Sequence, residues 1–480
     1  MALSRRDLLK VSAVTLASCG VATKVGKVED TAPTSETPSE TPVAQPPAEK
    51  PPAENPPAEQ PPVQNPPGNV DISTLTEAFD AFPIGVAAGD VFPESVILWT
   101  RTAESTGLSV RVWRESDPKT YVFAQAVTQA GGFVHIEATG LQPNTAYYYA
   151  FTLSDKTRSM IGRFRTAPAA DSLEVVTFAG GCCTHSRGAP YPALSEAAKR
   201  DDLQFFVHGG DQVYCDGATE LADYQATYDE IFAEKGMREV AAAHACFNTW
   251  DDHEVTNNFN PETIDAAQFA AARKTFFDFH AMRRDQTDPD RIWRSRRFGK
   301  TLELFVLDAR GERIPTTRTS ADPIYLSRAQ MDWLKQSLKT SSAQFKCIVN
   351  QVPMARFGGL FALAADDRWE GYAAQRKEIL DFILSENITG VWWLSGDFHF
   401  GTSGTLEKSG PYAGMREVLW GPSGQRPNPL YPLIDMDQWD FSTGENNFAV
   451  LKADPVKNEM TVTFIDGKGE TIFEKTYPNT

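Results

Sequence analysis

"VVTFAGGCCTHS", Val175 to Ser186, sets an apolar run against two glycines, two adjacent cysteines and a histidine. Alone, a Cys-Cys pair at the end of such a run reads most simply as buried core. The same pattern, an apolar strand running out into chemically capable side chains, then returns five more times. "LQFFVH" leads into "GGDQVY" with Asp211 and Tyr214, and "HACFNTW" into "DDHEVTNN" with Asp251, Asp252, His253 and Glu254. "TLELFVLD" ends on Asp308 with Arg310 and Arg313 close behind; "QFKCIVN" ends on Asn350 followed by Gln351; "TGVWWLS" precedes "GDFHFG" with Asp397 and His399. Between the strands lie helical patterns such as "DAAQFAAARKTFFDFHAM", "SRAQMDWLKQSLKTS" and "YAAQRKEILDFILSEN". This alternation predicts a layered α/β domain over 169–480 with largely buried strands and a site beyond the strand ends.

Upstream, over 71–168, the rhythm is different. "ESVILWTRT", "LSVRVWRES", "TYVFAQAVT", "FVHIEATG", "AYYYAFTLS" and "MIGRFRTAP" alternate with period two and are separated by Gly, Pro and Asn, which predicts an antiparallel β-sandwich. "ATGLQPNTAYYYAF" resembles the fibronectin type III signature, in which a tyrosine after L-x-P-x-T packs the corner. A small, non-catalytic fibronectin III-like β domain is expected here.

The chain opens with "SRRDLLKVSAVTLASCG": Arg5 and Arg6, an apolar run broken by Lys10, and a Leu16-Ala17-Ser18-Cys19 box. Residues 1–19 resemble a twin-arginine export signal joined to a lipoprotein cleavage box, with Leu8 where that pattern usually has Phe. The resemblance implies lipidation of Cys19 and a membrane-anchored location, periplasmic or at the cell surface. Twin-arginine export carries folded proteins, which suits a metalloprotein. Over 20–70 the chain collapses into Pro, Glu, Ala, Gln and Thr with a five-residue beat, "PPAEK", "PPAEN", "PPAEQ". No core can form from it, so a disordered, polyproline-rich spacer is expected. Five cysteines follow Cys19, an odd number without repeating spacing, which argues against a disulfide scaffold. The net charge of −17 disfavours a nucleic-acid-binding surface.

Motifs of the kind D-x-H, G-D, G-N-H-E and G-H-x-H at successive strand ends mark the calcineurin-like metallophosphoesterases. Here "CTH" stands for the first, "GDQVY" for the second, "DDHE" for the third and "GDFH" for the fourth. The cysteine, the tyrosine three places after Asp211, and "WDDHE" bring the chain closer to the PhoD-like alkaline phosphatase and phospholipase D family, which it resembles from about Phe82 to Pro478. The fold implied is a metallophosphoesterase β-sandwich flanked by helices, preceded by the smaller β domain.

The candidate ligands are Cys183, Asp211, Tyr214, Asp252, Asp397 and His399. Up to five anionic donors stand against one imidazole, and the chain has only seven histidines, so a His-rich dizinc centre does not fit. Carboxylate and phenolate donors suit Fe3+ and Ca2+, the metals the family uses, as one iron with one or two calcium ions. By the resemblance, Asp211 bridges the metals, Tyr214 and a cysteine ligate iron, Asp252 and Asp397 hold the second cation, and His399 binds iron or a phosphate oxygen. The match to D-x-H selects Cys183, with Cys182 the alternative. Asn257 and Asn258 lend amide oxygens to calcium or cap a helix. The histidine that the wider superfamily places after the fifth strand is replaced by Asn350 and Gln351.

The reaction implied is in-line attack on phosphorus by a metal-bound hydroxide. His253 is placed to protonate the leaving alkoxide or to hydrogen-bond the phosphate, and Arg310 and Arg313 offer guanidinium forks, Arg313 serving equally well as a salt bridge. His185 and Arg187 are further substrate-binding candidates, and Glu254 orients His253 or a neighbouring loop. "RWEGY", Arg368 to Tyr372, has no catalytic role assigned. The expected protein is a monomeric, exported phosphohydrolase of phosphate mono- or diesters. The alternatives are a phospholipase D- or teichoic-acid-type phosphodiesterase and, from another class, a non-catalytic surface-binding lipoprotein.

Overall fold

The computed structural model describes residues 71–479 apart from Asp155 and Asp435. The export signal, Cys19 and the proline-rich spacer lie outside the described residues. Six strands carry the site: β1 (Val176–Gly181), β2 (Phe205–His208), β3 (Ala245–Asn248), β4 (Leu302–Val306), β5 (Phe345–Val349) and β6 (Val391–Ser395). β1, β2 and β3 run parallel in one sheet, in register at Gly181, His208 and Asn248. β4, β5 and β6 run parallel in a second, in register at Val306, Val349 and Leu394. All six therefore deliver their following loops at the C-terminal ends of parallel strands, the edge at which sites form in α/β folds.

Side-chain alternation along these strands builds the layers. Phe178, Phe205, Val207, Leu304, Val306, Trp392 and Leu394 meet in one core between the two sheets. Their neighbours Ala179 and Phe206 face an outer core shared with the helices Pro192–Ala198, Leu221–Phe232 and Ala266–Phe279. Phe305, Ile348 and Trp393 face the opposite outer core with the helices Arg328–Thr340 and Ala373–Ser385. Strands buried on both faces read as unbroken apolar runs, which is why the sequence marks them.

The sheet of β1–β3 has nine strands and that of β4–β6 seven. A third, six-stranded sheet is built from the N-terminal region, including Leu108–Arg114, Asp117–Ala126 and Ala146–Leu153. Tyr147 makes the anticipated corner: its hydroxyl accepts the Gln142 N–H at 2.9 Å. The partner layer of this N-terminal sandwich differs from a free-standing one. Val86–Gly89, Ser95–Arg101 and Phe133–Thr139 continue the sheet of β3, with Val86–Gly89 pairing parallel to β3 at Ala88 and Ala245. Val96, Leu98 and Val134 thereby pack with Val110, Val112 and Tyr149 while belonging to the same sheet as the site strands. No described helix is long and apolar enough to cross a membrane.

Candidate metal centre

The loops after β1, β2 and β3 are bound to one another through their backbones. Cys183 N–H donates to Gly210 O at 3.2 Å and Thr184 N–H to Asp211 O at 2.9 Å. Four candidate ligands sit in the left-handed region, Cys183 at φ 58°, Asp211 at 54°, Asp397 at 66° and His399 at 54°. Such conformations cost non-glycine residues about 1–2 kcal/mol each and persist where the surroundings over-determine them. Gly210, at φ 105°, has no room for a side chain, since a Cβ there would lie 2.7 Å from the Asp251 Cβ.

Glu254 ties the second and third loops. Its buried carboxylate accepts the backbone N–H groups of Asp211 at 3.1 Å, Asp251 at 2.8 Å and Gln212. Burial, reinforced by the charge of Asp211, pushes its pKa to about 8. Of the two roles open to it in the sequence, the structure shows the orientation of loops.

The acid, thiol and imidazole groups converge in three overlapping sets: Cys183, Asp211 and His399; Asp211, Asp252 and His253; Asp251, Asp252 and Asp397. Within each, one donor atom per residue lies within 4.8 Å of the others. Tyr214 joins the first set, its hydroxyl donating to Asp211 Oδ2 at 3.1 Å and standing 3.3 Å from His399 Nε2. Asp251 was passed over in the sequence because alignment of "DDHE" assigns the ligand role to the residue directly before His253.

The donor chemistry fits multivalent cations. Asp251 Oδ2 is buried without a hydrogen-bond partner. Burial pushes Asp397 up to about 7 despite the opposing pull of Arg310, and burial drives the Cys183 thiol well above its ordinary range. Burial alone would lower His399, but Cys183 and Asp211 outweigh it and raise the imidazole to about 10. The protein without metal thus holds protons on groups that would release them to a cation.

Cys182 has a different environment. Its thiol donates to Trp420 O at 3.1 Å, and Cβ atoms at Gly396 and Gly421 would come within 2.9 and 2.7 Å of its sulfur. It fills a narrow slot between two glycines, while Cys183 shares the donor set with Asp211 and His399.

His253 Nδ1 lies 2.8 Å from Asp216 Oδ2, and its ring packs 4.1 Å from that of Tyr214. Burial opposes its charge, but Asp211, Asp252 and Asp216 raise its pKa to about 11. Asp216 was not picked out from the sequence, where it reads as a turn residue.

The arginine expectations need correction. Arg310 does not offer an open fork. Fully buried, it reaches Asp251 through Nε, Asp367 through Nη1 and Asp397 through Nη2 at 3.2 Å, with Asp252 at 3.7 Å. Arg313, equally expected at substrate or in a salt bridge, takes the second role, donating to Asp367 Oδ1 at 2.6 Å and Phe259 O at 2.7 Å. Asn350 and Gln351 are also internal. Asn350 Oδ1 accepts the Trp369 indole N–H at 3.1 Å, and Gln351 Oε1 accepts Ala309 N–H at 2.9 Å. Trp369 belongs to the "RWEGY" segment, whose part here is this internal contact. No helix starts at Asn257 or Asn258; their backbone N–H groups donate to Asp216 and Asp252. His185 packs 4.7 Å from Tyr214, ring to ring, and Arg187 is exposed beyond it.

Two family models match the chain: the PhoD-like phosphatase over residues 178–427 and the PhoD-like phosphatase N-terminal domain over 70–168. Alkaline phosphatase D of Bacillus subtilis (strain 168) is 28% identical over 378 residues, which are 66% of this chain and 64% of that protein, so the chain spans somewhat less than two thirds of its relative. The solved structure of PhoD has a TM-score of 0.70 at 22% identity, covering 82% of this chain and 92% of that one. The purple acid phosphatase PPD1 from yellow lupin (Lupinus luteus) seeds has a TM-score of 0.60 at 12% identity, covering 82% and 73%. These two share the fold. With more than half of its length matched by the catalytic and N-terminal models together, and the donor sets at the edge where the catalytic model lies, the chain belongs to the PhoD-like phosphatase family.

Proposed function

We propose that this chain is a metal-dependent phosphohydrolase that cleaves phosphate mono- or diesters, exported and tethered as a monomer to a membrane through lipidated Cys19. The observation that carries the reading is the sharing of Asp211 and Asp252 between donor sets, which joins three groups of ligands into one centre. Cys183, Asp211, Tyr214 and His399 would hold Fe3+, and Asp251, Asp252 and Asp397 would hold Ca2+, consistent with a thiolate and phenolate at one end and carboxylates at the other. When bound, such ions neutralise phosphoryl oxygens and activate water for in-line attack.

The chain's own residues do the rest. His253, oriented by Asp216, is held to deliver a proton from its ring to the leaving alkoxide. Arg310 spreads one positive charge over four carboxylates and fixes their positions, so it acts on the donors rather than on substrate. Glu254 fixes the backbone of the loops bearing Asp211 and Asp251, which limits reorganisation when ligands bind.

The test is elemental analysis of the chain purified without chelators, together with hydrolysis of p-nitrophenyl phosphate and bis(p-nitrophenyl) phosphate. Near-stoichiometric iron with calcium and chelator-sensitive release of nitrophenol are expected. Folded protein that carries zinc or no metal, and hydrolyses neither ester, sinks the proposal and leaves the binding lipoprotein in its place.

A further inference from the structure

Beside Tyr214 the surface opens into a cleft of about 320 Å³ lined by Arg187, Gly188, Gly424, Gln425, Arg426 and Asn446, among others. We propose that this cleft is an anion subsite that binds a second negative charge, phosphate or carboxylate, on the alcohol part of the substrate. The proposal rests on the phosphohydrolase reading and narrows its substrate class to esters whose alcohol is itself anionic.

Three observations lead to it. First, Arg187 and Arg426 are exposed and form no ion pair among the described residues. Elsewhere on this strongly acidic chain Arg200, Arg273, Arg291 and Arg328 are matched with carboxylates, and the exposed Arg297 is hydrogen-bonded to Gly299 O and Ser342 Oγ. Glu445 stands in the turn between Gly444 and Asn446 but does not line the cleft. Two arginines without an ion pair line one cavity, and guanidinium groups are suited to a planar or tetrahedral oxyanion.

Second, the cleft adjoins the donor centre through direct contacts. Gln425, which lines the cleft, acts on the Tyr214 hydroxyl and favours its ionised form against the effect of burial. Gly424 N–H donates to Cys183 O at 3.1 Å, and Asn428 N–H donates to His399 O at 3.1 Å. On the other wall, the Arg187 backbone N–H donates to His185 Nδ1 at 3.1 Å, and the His185 ring lies against Tyr214. These two loops therefore border the donor centre directly.

Third, the walls are fixed to each other. A Cβ on Gly188 would lie 1.9 Å from Gly424 O, and one on Gly424 would lie 2.4 Å from the Tyr191 ring. The two arginine-bearing loops touch at a point where no side chain fits, so the arginines project from a shared, rigid base. The volume is at the small end for ligand pockets, enough for an anionic group with a few carbons and too small for a large headgroup.

The experiment compares kcat/KM of the metal-loaded full chain for glycerol 3-phosphate, 3-phosphoglycerate and glycerol 1,3-bisphosphate. The second replaces a hydroxymethyl group by a carboxylate, and the third adds a phosphate. At least one anionic ester is expected to be favoured by on the order of tenfold, mainly through a lower KM. Whichever of the two gains more identifies whether the cleft prefers carboxylate or phosphate. In Arg426→Gln the preference should fall toward equality, and in Arg426→Glu it should reverse. Equal kcat/KM for neutral and anionic esters, or a preference unmoved by both variants, overturns the subsite while leaving the phosphohydrolase standing. Hydrolysis of none of the three overturns both.

Discussion

The Asp216 carboxylate joins two parts of the site: Oδ2 lies 2.8 Å from His253 Nδ1, and Oδ1 accepts the backbone N–H of Asn257 at 2.7 Å. A carboxylate on one ring nitrogen fixes the ring and leaves Nε2–H for proton donation. Asp216→Asn keeps the shape and removes the charge. Its kcat should fall roughly 10–100-fold with metal content unchanged. After Asp211 and Asp252, Asp216 is a further carboxylate that raises the His253 pKa, so the alkaline limb of the pH–rate profile should move to lower pH in the variant. A kcat loss with an unmoved limb would show that His253 is not the proton donor.

The neighbouring cysteines should separate cleanly. Cys183→Ala removes a member of the donor set with Asp211 and His399, so iron measured by elemental analysis should be lost. Cys182→Ala removes a buried sulfur held between Gly396 and Gly421, so iron should remain while stability drops by about 1 kcal/mol. Iron lost from the second variant and retained in the first would exchange their roles.

Arg310 carries the sole guanidinium that contacts Asp251, Asp252 and Asp397 together among the described residues. Removing one partner of a buried charge network costs about 3–5 kcal/mol because the opposing charges are left uncompensated. Arg310→Met should therefore lower the unfolding free energy by that order in the presence of chelator. Added calcium should recover part of the loss, since the same carboxylates lie in a donor set. Denaturant titrations with and without calcium measure both effects, and equal losses in the two conditions would separate Arg310 from the metal centre.

Much of this arrangement can be read along the chain. β1–β6 are apolar on both faces, so their runs stand out, and a reactive side chain just past each run marks the edge where the site forms. What escapes is pairing between distant loops. Asp367 bridges Arg310 and Arg313 from more than fifty residues away, and nothing local to it signals that. The strand Val86–Gly89 escapes for another reason. "VAAG" is small and carries no alternation, because Gly89 lies so close to Ala281 that a Cβ would come 2.1 Å from its carbonyl oxygen. Ser95–Arg101 is buried on both faces, Val96 and Leu98 toward one core and Ile97 and Trp99 toward another, so it shows no alternation and its apolar run does not say which sheet it joins. Its union with the sheet of β3 is a fact of edge pairing that only the three-dimensional structure supplies.

Acid should weaken the fold through buried histidines, His244 and His280 among them. His244 and His280 are buried, and burial lowers both to about 4, against the pull of the backbone carbonyls of Ala197 and Phe276. The unfolded chain protonates them below about 6.5, whereas the folded chain does so only near 4. Between those values the unfolded state binds more protons, so stability falls as pH falls. From pH 7 to 5 each histidine should contribute a loss of about 2 kcal/mol. His244→Gln keeps a donor for Ala197 O and cannot take up a proton. Unfolding midpoints of wild type and variant, both in chelator, should therefore differ less at pH 5 than at pH 7 if the variant is the less stable protein at neutral pH. An identical pH dependence in the two proteins would mean that His244 is protonated in the folded chain as readily as in the unfolded one.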